Sequence, residues 1–170
     1  MNDGLKYCAP VSGTSIAIKK YSVVPKFGVF TDIRRHTIRN REETQARIWS
    51  IGGHNGWYFG TWLWQVRGFL DKLIGGVGLR RGRTNQDSIS VGDALDFWRV
   101  VDVDATQGRL LLFAEMKLPG EAWLEFNIEG DMLIQTATFR PLGISGRLYW
   151  FAVVPFHGII FSGLIRKLCD

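Results

Sequence analysis

The hydrophobic pattern of this chain changes its period near residue 88, and this change constrains the fold more than any other feature. Between residues 40 and 74 apolar residues recur every three or four positions, and after residue 88 they alternate with polar residues. Short turns at 106–108, 119–120 and 130–131 divide the alternating part and favour antiparallel hairpins. The pattern therefore predicts a meander of four strands, at residues 94–103, 109–118, 122–128 and 132–140.

The part before the meander predicts one strand and two helices. Residues 27–39 alternate β-branched and polar side chains and are expected to be extended. A helix is predicted to begin after Asn40, whose side chain can accept from the first backbone amides while Glu43 reaches back. It is expected to end at the glycines 52–53, and a second helix is predicted at 59–74.

The chain closes with a long apolar segment, residues 148–165, with basic residues on both sides. Its length is that at which a transmembrane helix becomes a candidate. A helix packed between a sheet and a second helix would also be apolar nearly all round, and the meander needs a cover for its inner face. We therefore expect a soluble α+β domain in which this helix lies across the concave face of the sheet, with a membrane span as the alternative.

Composition limits the number of domains and the class of protein. The 170 residues, 46% of them hydrophobic, suffice for one domain that buries roughly 70% of its unfolded surface. Residues 1–26 have weak periodicity and no secretory-signal pattern, and are expected to form a tail or an added edge strand before a domain at 27–170. Cys8 and Cys169 lack the spacing of a disulfide framework, which favours the cytoplasm. The net charge of +5 is too mild to predict nucleic-acid binding.

The stretch 51–83 places aromatic residues between glycines and ends in a basic cluster. Stiff rings, with glycines that let backbone approach closely, predict the rim of a binding pocket. The aromatic walls are expected from Trp57, Tyr58, Trp62, Trp64 and Trp98. Polar groups expected to orient a ligand are Arg80, Arg81, Asp96, Arg99, Gln135 and His157.

Charged residues inside the apolar pattern predict ion pairs, because a buried charge requires a partner. An aspartate, Asp71 or Asp96, is expected to pair with an arginine such as Arg99, either at the pocket or as a contact between the helix predicted at 59–74 and the sheet. On the meander, Lys117 is expected to pair with Glu125 or Glu121.

No motif for a cofactor, a metal or a nucleophile accompanies the predicted pocket. The glycine-rich run 76–82 has its third glycine one place too late for a dinucleotide fold and follows a predicted helix instead of a strand. The three histidines lie far apart, and neither cysteine has a nearby histidine motif. We expect no metal and no cofactor.

Several motifs resemble an uncharacterised bacterial domain family often joined to the C-terminal side of an NAD-dependent epimerase-like domain. They are GGHNGWYFGTWLW, RGFLDKLIGGVGLRRGR, VGDALDFWRV, AEMKLPGEAWLEF, QTATF and GRLYWFAVVPFH, and the resemblance covers the chain from Phe27 onward. It implies the START-like (SRPBCC) superfamily, whose helix-grip fold wraps a curved antiparallel sheet around a long C-terminal helix and encloses a hydrophobic cavity. The residues before Phe27 do not match a nucleotide-binding domain, so the resemblance implies a stand-alone copy or one that acts with a separate enzyme.

The predicted function is binding of a hydrophobic or amphipathic small molecule between the final helix and the sheet. Two alternatives stay open. One is an enzyme of the cyclase or hydratase type with His157 or Asp96 as general acid or base. The other is an accessory subunit of a separate NAD-dependent epimerase-like reductase. The sequence specifies neither the ligand nor an oligomeric state.

Overall fold

The computed structural model describes residues 21–52, 55–60, 62 and 88–170. In this part of the chain, six strands form one antiparallel sheet in the order β1-β6-β5-β4-β3-β2. Two helices accompany the sheet, one after β1 and one after β6. The elements are β1 (Phe30–Thr37), α1 (Arg41–Trp49), β2 (Ala94–Leu95), β3 (Trp98–Asp104), β4 (Arg109–Ala114), β5 (Gly120–Glu129), β6 (Met132–Pro141) and α2 (Gly143–Cys169).

The sheet confirms the predicted meander and adds one strand to it. The segment predicted as a single strand at 94–103 is divided into β2 and β3, which pair with each other through Leu95 and Trp98. The two residues between them, Asp96 and Phe97, form the hairpin turn, and Asp96 has a positive φ of 56°. A turn of this kind normally has glycine at that position, so the sequence carries no turn signal there. β1 completes the sheet by pairing along its whole length with β6.

The predicted start of α1 is confirmed by its cap. The side-chain oxygen of Asn40 accepts from the backbone amides of Glu42 at 2.9 Å and Glu43 at 3.3 Å. The helix ends earlier than predicted, at Trp49, with Ser50 as the C-cap. Gly52 follows with a φ of 84°.

The strands alternate as predicted on the face toward α2, called the concave face. Leu110, Leu112, Leu124, Phe126 and Ile128 all lie in the main core on this face. The charged pairs of the opposite, convex face differ from the prediction. Arg109 donates to Glu125 at 2.6 Å and Arg140 donates to Glu121, so the two glutamates predicted as partners of Lys117 pair with arginines.

The convex face also carries a small hydrophobic cluster that alternation alone assigns to solvent. Trp123 and Leu111 are buried there, with Tyr21 and Val24 packed over them. Tyr21 stacks on Phe113 at 3.9 Å, and the Trp123 indole donates to the Tyr21 carbonyl at 3.0 Å. Residues 21–24 therefore cover part of the sheet that the strand pattern leaves open.

Helix α2 is longer than the predicted 148–165 and packs against β1 and β6. Phe161, Leu164 and Leu168 of its C-terminal half belong to the main core. At the other end, a Cβ on Gly146 would collide with the backbone at Pro119 and Pro141, so the glycine allows close contact. By length and composition the helix also suffices to cross a membrane, and only 22% of its apolar window is buried against the rest of the chain. The helix predicted at 59–74, which was expected to cover the outer face of α2, lies largely outside the described residues.

Candidate ligand-binding site

Three small residues lie on the concave face, two of them near the end of the sheet where β4 ends and β5 begins. Ala114 of β4 and Ala137 of β6 are buried in the main core, and Ala122 of β5 packs against it. Leu112, Leu124 and Phe139 lie two positions away from them on the same strands and face. These three alanines on adjacent strands are called the alanine floor.

Aromatic rings stand on two sides of the alanine floor. Trp98 of β3 is paired in register with Ala114, and Phe139 of β6 with Ala122. Trp150 of α2 stacks on Phe139 with the ring centroids 5.8 Å apart. Since β3 and β6 are three strand spacings apart in the sheet, the two walls are separated by about 14 Å.

The predicted residues Trp57, Asp96 and Trp98 are brought together at one of these walls. The Trp57 indole, only 1% exposed, donates to an Asp96 carboxylate oxygen at 2.7 Å. The Trp57 and Trp98 rings lie 6.2 Å apart. Tyr58, next to Trp57, and Asp96 are the two non-glycine residues with positive φ in the described part of the chain. Residues 55–60 are called the aromatic segment, and its contact with the β2–β3 hairpin is made where both backbones are strained.

Two buried polar atoms of the concave face have no hydrogen-bond partner among the described residues. They are the indole Nε1 of Trp98 and the side-chain oxygen Oε1 of Gln135. Both residues are buried, Gln135 almost completely. A buried donor or acceptor without a partner costs about 1–3 kcal/mol. Such groups are explained if a bound molecule completes their hydrogen bonds.

Arg34, which the sequence did not single out, is the cation nearest to Gln135 on the adjacent strand. It is paired in register with Gln135, and its guanidinium donates to Asp32 at 3.0 Å and to the hydroxyl of Ser162 on α2. Both charged side chains are partly buried. The signal in the sequence was strand alternation, because Asp32 and Arg34 share a face with the inward-facing Phe30.

His157 lies on the sheet side of α2, next to the aromatic wall. Its ring is 5.3 Å from that of Trp150 and 4.8 Å from that of Phe161. It therefore belongs to the same side of the molecule as Phe139 and Ser162.

Other predicted site residues are placed elsewhere or lie outside the described part of the chain. Arg99 makes a bidentate ion pair with Glu115, with both N–H···O contacts at 2.9 Å, and donates to the Gly92 carbonyl at 2.7 Å. It lies on the convex face, so the expected pair between Asp96 and Arg99 does not form. Trp62 is exposed. Trp64, Asp71, Arg80 and Arg81 lie outside the described residues.

Two titratable groups of the described chain have clearly shifted pKa values, and both are outside this site. Burial raises the pKa of the Cys169 thiol, at the end of α2, to about 11. Hydrogen bonds from Thr106 and Gln107 lower the pKa of Asp104 in the β3–β4 turn. Within the described residues, no group of three or more histidine, cysteine or acidic side chains is placed to hold a metal ion. The site therefore offers apolar walls, one N–H donor and one amide acceptor.

Residues 27–164 match the model of the DUF2867 family, described as a protein of unknown function. The match spans most of the chain, and the chain belongs to this family. No curated protein matches the chain.

Proposed function

We propose that this member of the DUF2867 family is a START-like, helix-grip protein that binds a hydrophobic or amphipathic small molecule between the concave face of its sheet and helix α2. The support from the fold is topological. The first strand is at one edge beside the last strand, the remaining strands follow in reverse order, and the C-terminal helix packs on the same sheet. In this proposal the ligand lies over the middle strands, beside the contact of α2 with β6 and β1.

The observation that carries the proposal is the alanine floor between two aromatic walls, with a buried unpartnered N–H at one wall. Large side chains at Ala114 and Ala122 would fill the concave face as leucines do in the adjacent rows. Natural cores are packed to high density, so small residues between rigid rings indicate room for something else. Trp98 supplies both a ring and a donor to that space.

The polar groups describe the chemistry of the ligand. An oxygen acceptor would satisfy Trp98 Nε1, and a hydroxyl or amide N–H would satisfy Gln135 Oε1. Arg34 already has Asp32 as its counter-charge, so the ligand needs no carboxylate. The site fits a mainly apolar molecule with neutral polar groups.

Filling the floor tests the proposal. In Ala122→Leu, the added side chain occupies the space between the walls, and we expect the affinity for the dye 1-anilinonaphthalene-8-sulfonate, measured by fluorescence titration, to fall about tenfold. The free energy of unfolding is expected to change by less than about 1 kcal/mol, because the proposed ligand space accommodates the larger side chain.

The matched control is Ala46→Leu, which makes the same change at an exposed position of α1. It should leave dye affinity unchanged. If Ala122→Leu keeps full dye affinity and instead lowers the free energy of unfolding by about 1–3 kcal/mol, the floor is solidly packed core and the proposal fails.

A further inference from the structure

Helix α2 carries an exposed apolar surface on the side away from the sheet. Ile144 is 77% exposed and Leu148, Phe151 and Ile159 are each more than 60% exposed. Together with Pro155, these residues recur at intervals of three or four and so form one line, the outer stripe, about 22 Å long. Single exposed apolar residues are common, but a continuous line of this length marks an interaction surface.

The surface continues past the start of the helix. Leu142 is 73% exposed and Phe27 is 91% exposed. The pairing of Phe30 with Phe139 brings the segment before β1 to the end of β6, and therefore to Leu142. Phe30 also touches Phe151 of the outer stripe, with ring centroids 5.7 Å apart. The exposed apolar residues therefore form one patch that two chain segments share.

All the charged residues of α2 around this patch are basic. α2 contains no acidic residue, and its charged residues are Arg147 near its start and Arg166 and Lys167 near its end, all exposed. Arg166 continues the spacing of the outer stripe two turns beyond Ile159. An apolar surface bounded by cations is complementary to a bilayer interface that contains anionic lipid.

The buried residues on the inner face of α2 determine whether the helix crosses the bilayer or lies in the plane of its interface. Trp150, Phe161, Leu164 and Leu168 are buried against the sheet side of the molecule. Crossing the bilayer would pull these side chains out of the core. The helix can instead lie in the plane of the interface with only its outer stripe in lipid.

A second copy of the chain fits the same patch less well. A two-fold dimer brings the same patch of both subunits together. It would then place Arg147 and Arg166 of each copy at the interface, and α2 supplies no acidic side chain to neutralise them. Anionic headgroups supply that charge.

We infer that the outer stripe of α2 docks this protein, in the plane of the interface, on membranes that contain anionic lipid. The inference does not depend on ligand binding at the concave face, because the two surfaces are opposite sides of one helix.

Vesicle flotation with the full chain tests the docking. Protein purified without detergent is mixed with phosphatidylcholine vesicles, with or without phosphatidylglycerol. The wild type is expected to float with the anionic vesicles and to be released by high salt. The combined variant Leu148→Ser, Phe151→Ser and Ile159→Ser is expected to bind at least about tenfold more weakly. Arg147→Gln with Arg166→Gln is expected to abolish the preference for anionic lipid.

The control replaces apolar residues of similar exposure elsewhere, Val91→Ser and Ile33→Ser, at 52% and 49% exposure. Binding by this control should equal that of the wild type, and circular dichroism should show that all variants keep the fold. Equal binding by the combined variant and the wild type would overturn the inference. So would a dimer, seen by light scattering without lipid, that the combined variant dissociates, or wild-type protein that leaves membranes only in detergent.

Discussion

Replacement of Asp96 by alanine should destabilise the protein strongly, because two independent features depend on this side chain. Its carboxylate accepts the Trp57 indole N–H at 2.7 Å, and Trp57 is almost fully buried. Its backbone has a φ of 56°, a conformation that aspartate tolerates better than alanine. The Asp96 contact joins the aromatic segment to the β2–β3 hairpin.

The expected magnitude follows from these two features. Loss of a hydrogen bond to a charged acceptor, with the donor left buried, costs about 1.5–3 kcal/mol. Alanine at a positive φ adds about 1 kcal/mol. Asp96→Ala is therefore expected to lower the free energy of unfolding by about 2.5–4 kcal/mol. Asp96→Asn keeps an acceptor oxygen and tolerates the same φ, so it should lose no more than about 1.5 kcal/mol.

The assay is urea unfolding followed by circular dichroism, in a double-mutant cycle with Trp57→Phe. Phenylalanine keeps an aromatic ring but lacks the N–H, so the cycle separates the Trp57 bond from every other contact of Asp96. We expect a coupling energy of about 1.5–3 kcal/mol. A coupling below about 0.5 kcal/mol would refute the argument that this bond holds the aromatic segment to the hairpin.

Three further changes have expected outcomes. In Gly163→Ala, the new Cβ meets the ring of Phe59, so α2 or the aromatic segment must shift, and the melting temperature should fall, whereas Gly158→Ala, with open space around it, should not lower it. Burial raises the pKa of the Cys169 thiol from 9.0 to about 11, so between these values the folded state keeps a proton that the unfolded state releases. The free energy of unfolding should therefore decline as pH rises above 9.0, and this decline should be absent in Cys169→Ser. Thiol reagents should label Cys169 only after unfolding. The pKa of Asp104 lies below its ordinary 3.8, so its contribution to the free energy of unfolding is present above that value and is lost as pH falls below it. Asp104→Asn should flatten the acid side of the profile of stability against pH, and an unchanged profile would contradict this.

Local signals predicted much of the fold. The Asn40 cap needs only the side chain and the next amides, so a few residues suffice to recognise it. The period of two placed β4 to β6 and the inward set on them, such as Leu110 and Phe126, because alternation is a local property.

The differences come from contacts between distant parts of the chain. Strand alternation places Trp123 on the convex face, but its burial depends on Tyr21, about a hundred positions earlier. The β2–β3 turn was missed because Asp96 has a positive φ, at a position where such turns usually have glycine.

The site was predicted in part for the same reason. Trp57, Asp96 and Trp98 meet as a group, whereas Arg99 lies on the other face because it is adjacent to Trp98 in a strand. Arg34 was overlooked since an arginine on an edge strand suggests solvent. The alanine floor is recognisable only after strand register places three alanines on adjacent strands.

Native mass spectrometry of the full chain, purified without detergent from its own host, tests the central claim most directly. The account predicts an excess mass that denaturation releases as an apolar molecule with neutral polar groups, present in the wild type and in Ala46→Leu but absent in Ala122→Leu. A bound molecule retained equally by Ala122→Leu, or a bare mass in all three proteins, would contradict a ligand site on the alanine floor.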